Sequence, residues 1–434
     1  MLSKERNDLL TRTDRGTAGG ELLRRYWQPV AFRKELPPGG APLPVKIMGE
    51  ELVLFRDDQD RPGLLAINCC HRGSDISYGR VEDGGLRCLY HGWLFDINGD
   101  CLEQPAEPPD STFKDKVHQK SYPCQEAGDT IFAYLGPGEP PLLPKLQMFD
   151  APPERLVENR VFTECNYIQG NESNIDPAHT SFVHRSVASI EKDEVEGPQH
   201  DDKLWVAKRR LFHFRDNVCP DLEVEETRFG LRIYATRDRD DGTKHLRITN
   251  FVMPNLCAIG GKDLEFGRGG YHIHWHVPID DHSHWRWEWI FHGKADMDVD
   301  TLRAAIDADV TPDYRHIRNQ ANRYLQDREE MKTSTYAGMG GHFPAHDANV
   351  IETMGSIQDR TEEHLGTTDV AIIAQRRLLF EAIEEVEQGN DPLHVIRDEK
   401  DNDYSDMVVL TDVVDKDKDI KERCRELAEE NMYV

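Results

Sequence analysis

The sequence predicts an α+β protein in two parts: an all-β N-terminal domain, and a C-terminal α+β domain with a large antiparallel sheet flanked by helices. Three observations lead to this prediction. The chain has 434 residues, which is too long for one ordinary core. Short β-like runs separated by turn residues fill its first part. Longer alternating runs and separate helical segments fill the second part, as in α+β domains.

The first part begins with a helical pattern at Glu21–Trp27. Three short β-like runs follow, and glycine, proline and aspartate separate them: Pro44–Met48, Glu51–Phe55 and Leu64–Asn68. Such runs are typical of antiparallel hairpins. The proline- and glycine-rich run Gly136–Pro141 predicts a boundary. We therefore expect the first domain to cover residues 1–145.

The second part, residues 146–398, combines strands with helices. Apolar spacing predicts helices at three places: Asp176–His184, Thr301–Gln326 and Asp369–Glu387. Alternation predicts strands at five: Leu204–Phe214, Leu222–Thr236, His245–Met253, Tyr271–Val277 and Trp285–His292. The remainder, 399–434, is strongly charged and ends in an amphipathic pattern at Asp419–Asn431. We expect this helical tail to lie on the surface or on a neighbouring subunit.

The amino-acid composition limits the kinds of partner that the protein is expected to bind. The net charge of −27 repels nucleic acid and anionic lipid, so neither is expected to bind. No apolar run approaches the roughly 18 residues of a membrane span, and the first residues lack the apolar segment of a signal peptide. We therefore expect a cytoplasmic protein, in which the nine cysteines bind metal or lie buried rather than form disulfides.

Four residues in the first part have metal-ligand spacing: Cys69 and His71 in one pair, Cys88 and His91 in the other. Zinc binds two cysteines and two histidines, and so does a Rieske [2Fe–2S] cluster. Because each pair mixes cysteine with histidine, two loops could each give one ligand to each iron. The pattern favours the Rieske cluster over structural zinc. Cys70, between two of these residues, is expected to be a buried or partly buried thiol.

A second group follows in the C-terminal part, where Asp176, His179 and His184 form D-x-x-H-x₄-H. Residues five apart lie about 140° apart around an ideal helix, so a shared metal needs a helix end or a local distortion. Two histidines and one carboxylate form the facial triad of non-haem Fe(II). Asp347 is the candidate carboxylate, with Glu352 and Asp359 as the alternatives.

Three further histidines, His272, His274 and His276, alternate along a predicted strand and so face one way. Convergent histidines can bind zinc or copper. The sequence shows no carboxylate motif with them. We therefore expect this face to line a pocket rather than to bind a metal.

These motifs and several other segments resemble the Rieske aromatic-ring oxygenases, most closely the phthalate 4,5-dioxygenase-like group. The resemblance covers nearly everything except the last ~40 residues. The segments that carry it are Glu21–Trp27, His71–Gly73, Leu86–Trp93, Phe113–Lys116, Ile175–Asp176, Arg247–Thr249, Val277–Asp281 and Glu363–Asp369.

The resemblance implies roles for the site residues. It assigns the four Cys and His residues to the [2Fe–2S] cluster, and His179, His184 and Asp347 to a mononuclear Fe(II). Asp176 matches the carboxylate that links a cluster histidine of one subunit to an iron-ligating histidine of the next. This arrangement implies a homotrimer or a stacked hexamer.

The resemblance also implies a terminal oxygenase that takes electrons from an NAD(P)H-dependent flavin/iron–sulfur reductase, with or without a ferredoxin. Its expected reaction with O2 is ring cis-dihydroxylation of an aromatic carboxylate such as phthalate. One alternative is a monooxygenase that O-demethylates a methoxylated, lignin-derived aromatic acid such as dehydrodivanillate. Another is a Rieske electron-transfer protein without oxygenase activity. A carboxylate substrate needs a cation, and Arg247 is the candidate, with Arg209 and Arg210 behind it.

Overall fold

A computed structural model describes residues 1–187, 217–260, 270–341 and 343–430. Within these residues, strands form three small antiparallel sheets in the first part and one eight-stranded antiparallel sheet in the second. Helices flank the large sheet, so the predicted α+β class is confirmed.

The first part contains eleven described strands. One four-stranded sheet has the order β2-β3-β4-β9, another β5-β6-β7-β8, and a three-stranded sheet β1-β11-β10. Their bounds are β1 Trp27–Phe32, β2 Leu43–Ile47, β3 Glu50–Arg56, β4 Pro62–Ala66, β5 Arg80–Glu82, β6 Gly85–Arg87, β7 Leu94–Phe95, β8 Cys101–Glu103, β9 Ser121–Tyr122, β10 Cys124–Ala127 and β11 Thr130–Tyr134. The three predicted hairpin strands correspond to β2, β3 and β4 within two residues.

Two helices precede these strands, α1 at Lys4–Thr11 and α2 at Ala18–Arg24. Ser3 and Thr17 cap them by accepting hydrogen bonds from backbone N–H groups of the first turn. The predicted helix Glu21–Trp27 is therefore shifted: it ends at Arg24, and Trp27 begins strand β1. Every residue of β1 is buried, which favours pairing with β11 over a further helical turn.

The large sheet has the order β12-β18-β17-β16-β15-β14-β13. These strands are β12 Leu156–Thr163, β13 Asp221–Thr227, β14 Gly230–Asp238, β15 Thr243–Val252, β16 Leu256–Gly260, β17 Gly270–Asp280 and β18 Ser283–His292. The predicted strand Leu222–Thr236 is two strands joined by a turn, since Thr227 and Gly230 close a tight hairpin. The predicted strand Leu204–Phe214 lies outside the described residues.

The eighth strand, β19 at Leu410–Asp415, pairs with β15. The segment predicted as a charged helical tail thus also supplies a strand to the large sheet. The amphipathic pattern beyond it forms a helix at Ile420–Glu429, whose Cys424 and Leu427 are buried.

Two other predicted helices differ from the structure. The helix predicted at Asp176–His184 is only a 3₁₀ turn at His179–Ser181, because α3, Tyr167–Asn174, ends before it. The helix predicted at Thr301–Gln326 ends at Asp307, ahead of a turn closed by a hydrogen bond from Tyr314 N–H to the Thr311 carbonyl. The α-helices that follow α3 among the described residues are α4 Val299–Asp307, α5 Glu330–Thr333, α6 Phe343–Glu352, α7 Val370–Glu387 and α8 Ile420–Glu429.

A shared core joins the two parts. Phe32 packs edge-on against Trp287 with ring centroids 4.8 Å apart, and Phe132 lies 5.5 Å from Trp275. Burial of these rings is the main stabilising contribution here, at about 25 cal/mol per Å² of apolar surface. Among the described helices, none has both the length and the apolar character that crossing a membrane requires.

Candidate metal centres and their surroundings

Two loops of similar geometry carry the four residues predicted to bind the cluster. In the first, the Gly73 N–H donates to the Cys69 carbonyl at 2.8 Å; in the second, the Gly92 N–H donates to the Cys88 carbonyl at 3.0 Å. Both glycines have φ of +75°, a conformation that favours glycine. Each loop therefore turns back tightly after its Cys/His pair.

The four side chains of these loops converge. Cys69 and Cys88 are buried, and the ring centroids of His71 and His91 lie 4.5 Å apart. Trp93 stacks on His71 at 4.2 Å, and Nδ1 of His91 is a buried nitrogen without a hydrogen-bond partner among the described residues. Two buried sulfurs and two adjacent imidazoles with a free ligand nitrogen fit a Rieske cluster.

Cys70 does not share this burial. Its side chain is exposed, while its backbone N–H donates to Oε1 of Gln119 at 2.7 Å. The expectation of a buried or partly buried thiol is therefore wrong. The backbone hydrogen bond fixes the loop, so the side chain is free to face solvent.

The second group also forms. Ligand atoms of His179, His184 and Asp347 all lie within 4.8 Å of one another. His184 Nε2 is 3.0 Å from Asp347 Oδ1, and His179 Nε2 is 3.7 Å from the same oxygen. The 3₁₀ turn at His179–Ser181 provides the distortion that the five-residue spacing requires.

The short contact in this group lacks the geometry of a hydrogen bond. Asp347 Oδ1 is buried and has no hydrogen-bond partner among the described residues, although His184 Nε2 is so close. A short contact without hydrogen-bond geometry arises when the lone pairs of the nitrogen and of the oxygen point to a common centre. Adjacent ligands of a metal, each about 2.1 Å from it, are about 3 Å apart. The group therefore fits a 2-His-1-carboxylate iron site.

Buried ion pairs hold the helix that leads to the histidines. Glu172, near the end of α3, accepts from Arg360 Nη2 at 2.8 Å and from Arg376 Nε at 2.7 Å. Burial acts to raise the pKa of Glu172, but the two guanidinium groups lower it more. After the helix, Arg237 of β14 donates to the Pro177 carbonyl at 2.7 Å and so anchors the loop.

Helix α6 presents Asp347. Its neighbour in that helix, Glu352, accepts hydrogen bonds from the Tyr324 hydroxyl at 2.5 Å and from the Glu164 N–H at 3.0 Å. Asp359 is exposed and accepts from Thr361. Of the three candidate carboxylates, only Asp347 lies with the histidines.

Asp176 lies beside the group. Its Oδ2 is 3.7 Å from His179 Nδ1, and its Oδ1 accepts from the Ala178 N–H at 2.7 Å. The side chain retains 22% of its exposure. One edge of Asp176 thus faces His179, while part of it remains accessible to another group.

Two arginines act electrostatically on the group. Burial lowers the pKa of His179, whereas the neighbouring carboxylate of Asp176 raises it. The charge of Arg247 opposes the protonation of His179. Asp347, whose burial acts to raise its pKa, is held below its ordinary value by the two histidines and by Arg286. Arg247, the predicted cation, is therefore near; Arg209 and Arg210 lie outside the described residues.

Sequence reasoning missed Arg286 and Glu288. Both alternate with three tryptophans along β18, in Trp285–Trp289, and both are buried. Charged residues at every second position of such an aromatic strand were the available signal, since they predict a second, polar buried face.

The three alternating histidines have a carboxylate after all. His274 Nε2 lies 3.1 Å from Glu288 Oε1, and His272, His274 and Glu288 form a second group within 4.8 Å. The stated reason against a metal was therefore wrong, because the partner comes from the neighbouring strand β18. The expectation that this face lines a pocket remains a prediction.

Together, an all-β domain with Cys/His loops and an antiparallel α+β domain with a 2-His-1-carboxylate group define a Rieske non-haem iron oxygenase. Comparisons with known proteins agree. The Rieske [2Fe-2S] domain family matches residues 26–123, and the family described as LigXa C-terminal domain like matches 133–432.

Curated relatives extend the similarity over nearly the whole chain. The oxygenase subunit of phthalate 4,5-dioxygenase from Pseudomonas putida is 34% identical over 404 residues, covering 90% of this chain and 88% of that one. The oxygenase subunit of 5,5'-dehydrodivanillate O-demethylase from Sphingobium sp. (strain NBRC 103272 / SYK-6) is 31% identical and covers 92% and 84%. The chain belongs to the Rieske oxygenase alpha-subunit family that contains these proteins.

Solved structures share the fold. The Pseudomonas putida CBB5 NdmA QL mutant with caffeine superposes with a TM-score of 0.58 at 20% identity, covering 93% of this chain and 99% of that one. Dicamba monooxygenase bound to dicamba gives 0.57 at 17%, covering 85% and 99%. The protein is thus an oxidoreductase of the O2-incorporating Rieske class, with a [2Fe–2S] cluster and a mononuclear iron. The alternative of a Rieske electron carrier without oxygenase activity is wrong.

Proposed function

We propose that this terminal oxygenase hydroxylates an aromatic carboxylate, by ring cis-dihydroxylation of a phthalate-like acid. One observation carries the proposal: arginine charge reaches the 2-His-1-carboxylate group from two strands, Arg247 from β15 and Arg286 from β18. A carboxylate in this site can neutralise such a cation and accept two parallel hydrogen bonds from it. The 34% identical phthalate 4,5-dioxygenase subunit supports the substrate class.

The residues that would hold the cofactors are the predicted ones. Cys69, His71, Cys88 and His91 are the proposed cluster ligands. His179, His184 and Asp347 are the proposed ligands of the mononuclear iron. When bound, the cluster supplies single electrons and the mononuclear iron supplies the activation of O2.

We assign Asp176 to the connection between subunits. With His179 3.7 Å away on one side, its accessible edge can accept a hydrogen bond from a histidine of a neighbouring copy. His71 and His91 are only partly buried, as a histidine that meets a partner must be. A homotrimer or a stacked hexamer would bring these groups together. The electron donor would be an NAD(P)H-dependent flavin/iron–sulfur reductase, with or without a ferredoxin.

A second candidate is O-demethylation of a methoxylated aromatic acid. The match of residues 133–432 to the LigXa C-terminal domain like family favours it, as does the 31% identical 5,5'-dehydrodivanillate O-demethylase subunit. The two reactions differ in their products. Dihydroxylation puts both atoms of O2 into one ring, whereas demethylation leaves a phenol and releases formaldehyde.

The test is ¹⁸O2 turnover of the full-length protein with a reductase, NAD(P)H and a panel of aromatic acids. A dihydrodiol with two ¹⁸O atoms would establish the first function, and formaldehyde equal to the O2 consumed would establish the second. If no aromatic acid is converted while the cluster is reduced normally, the proposal is wrong. Reduction of the cluster, monitored by its visible absorption, shows that the electron supply works.

A further inference from the structure

The polar face of strands β17 and β18 contains a buried cation without a partner. Arg286 is 4% exposed, and its Nε and Nη2 atoms have no hydrogen-bond partner among the described residues. Those residues also place no carboxylate within ion-pair distance of it. A buried guanidinium that no described carboxylate pairs with is costly, so this position suits the binding of an anion.

Glu288, two residues along β18, belongs to the same face. Residues two apart on a strand lie about 6.8 Å apart and point the same way. Across the ladder, Arg286 is opposite His276 and Glu288 is opposite His274. The tryptophans between them point to the other side, where Trp287 packs against Phe32 of the N-terminal part.

Hydrogen bonds determine where the protons of this face lie. His284 Nδ1 is 2.7 Å from the Cys165 carbonyl, so Nδ1 carries the proton and Nε2 accepts. His276 Nδ1, 3.0 Å from that Nε2, must donate. Burial lowers the pKa of His276 well below its ordinary value, so its Nε2 has no proton. The structure places Asn174 Oδ1 2.7 Å from this Nε2; because two acceptors cannot share a hydrogen bond, we assign the amide in the flipped orientation, with its NH2 group toward His276.

The same amide fixes the proton of His274. Asn174 Oδ1 also lies 3.1 Å from His274 Nδ1, so in the flipped orientation the NH2 group donates to that nitrogen as well. His274 then carries its proton on Nε2 and donates to Glu288 Oε1 at 3.1 Å. Burial acts to raise the pKa of Glu288, but Arg286 and His274 together lower it well below its ordinary value. Glu288 is thus an anionic acceptor held in place, with capacity for a further donor.

This face is close to the proposed iron ligands. Asn174, which contacts His274 and His276, is the last residue of α3, and two residues further on Asp176 Oδ2 lies 3.7 Å from His179 Nδ1.

We propose that this face is the substrate-recognition wall, with two positions of opposite character. Arg286 binds the carboxylate of the substrate, and Glu288 accepts a hydrogen bond from a hydroxyl or amino group at the far side of the same ring. This inference rests on the proposed function and narrows its substrates to aromatic acids that also carry a hydrogen-bond donor. It favours hydroxy- or amino-substituted acids over phthalate itself, whose second carboxylate Glu288 would repel.

Equilibrium binding to the metal-loaded protein under anaerobic conditions tests the wall directly. The probes are 4-hydroxybenzoate and benzoate, measured by titration calorimetry. We expect 4-hydroxybenzoate to bind about ten to a hundred times more tightly than benzoate, since one charge-assisted hydrogen bond distinguishes them. Glu288→Gln should remove most of that preference without weakening benzoate. Arg286→Gln should weaken both acids, and Arg286→Lys should restore part of the affinity.

Arg247→Gln is the matched control, because Arg247 is the other cation that reaches the triad. Iron content and the visible spectrum of the cluster show that each variant is folded and loaded. If both acids bind but Arg286→Gln is without effect, or only Arg247→Gln weakens them, Arg286 is not the anchor and the inference is overturned. An unchanged preference in Glu288→Gln overturns the second position. If the wild-type protein binds no aromatic acid at all, the proposed function fails with it.

Discussion

The described residues contain two groups of two histidines and one carboxylate, and the groups differ in how their atoms face one another. In His179, His184 and Asp347 the shortest contact, 3.0 Å, lacks hydrogen-bond geometry and leaves Asp347 Oδ1 unsatisfied. In the second group, His274 donates a regular hydrogen bond to Glu288. A bound metal would satisfy the atoms of the first group, whereas the carboxylate of the second is already engaged.

Distance alone therefore does not identify a metal site. Both groups have ligand atoms within 4.8 Å. Arg286 acts on the carboxylates of both groups, so its charge does not distinguish them. The difference lies in hydrogen bonding: Asp347 Oδ1 has no partner among the described residues, whereas His274 Nε2 lies 3.1 Å from Glu288 Oε1 with hydrogen-bond geometry.

The strongest test of this comparison changes one carboxylate in each group. Asp347→Asn should reduce iron from about three atoms per chain to the two of the cluster. Turnover should fall more than about a hundredfold, because losing a direct ligand exceeds the effect of losing an outer-shell partner. Glu288→Gln should keep all the iron. Metal analysis after gel filtration measures both.

Two outcomes would show that the second group also binds a metal: loss of iron in Glu288→Gln, or binding of a second equivalent of added Zn²⁺ by the wild-type protein but not by Glu288→Gln. Asp347→Asn with full iron would instead remove Asp347 from the ligand set.

A second test concerns the support beneath the first group. Glu172→Gln leaves the buried Arg360 without its carboxylate, so unfolding free energy should fall by about 3–5 kcal/mol. Denaturant unfolding measures the loss. The matched control is Glu399→Gln, whose partner Lys145 is 64% exposed; it should cost about 0–1 kcal/mol. Equal losses in the two variants would show that the buried ion pairs of Glu172 stabilise the fold no more than an exposed ion pair does.

The same ion pairs predict a pH dependence of stability. The pKa of Glu172 is lower in the folded protein than in the unfolded chain, so its contribution is present above the unfolded value of about 4.5. Stability should decline as the pH falls through the lower, folded pKa. Glu172→Gln should flatten this decline, and an unchanged slope would contradict the assignment.

The smallest expected effect separates Asp176 from the ligands. Asp176→Asn should retain all the iron yet reduce turnover about 10- to 100-fold, the usual effect of an outer-shell partner of a metal-bound histidine. In a single turnover, the oxidised cluster should be reduced at the normal rate, while the rate at which product forms should fall. Normal product formation would remove the bridging role.

The cluster site was easy to predict because its ligands are local. Cys69 to His91 span one short stretch, and each of its two loops pairs a cysteine with a histidine. The strand before the first pair followed from turn residues, whereas strands β5 to β8 around the second pair were not predicted. The boundaries at residues 145 and 398 remain predictions.

The second site was only partly predictable. The spacing of His179 and His184 indicated a distorted element, and a 3₁₀ turn is what formed. Asp347 could not be separated from Glu352 by pattern, because Tyr324, which engages Glu352, is distant in sequence. Arg286 and Glu288 were missed although β17 directly precedes β18, because their place opposite His276 and His274 depends on the register of that hairpin.

Strand β19 has a consequence for the order of assembly. It pairs along the first half of β15, including Arg247 opposite Thr411, although about 160 residues separate the two strands. During synthesis, N-terminal segments emerge first, so β15 waits with half of one edge unpaired until residues 410–415 appear. Such an edge can capture foreign strands. Chains halted before residue 410 should therefore aggregate through this edge, even though both proposed metal centres are already encoded.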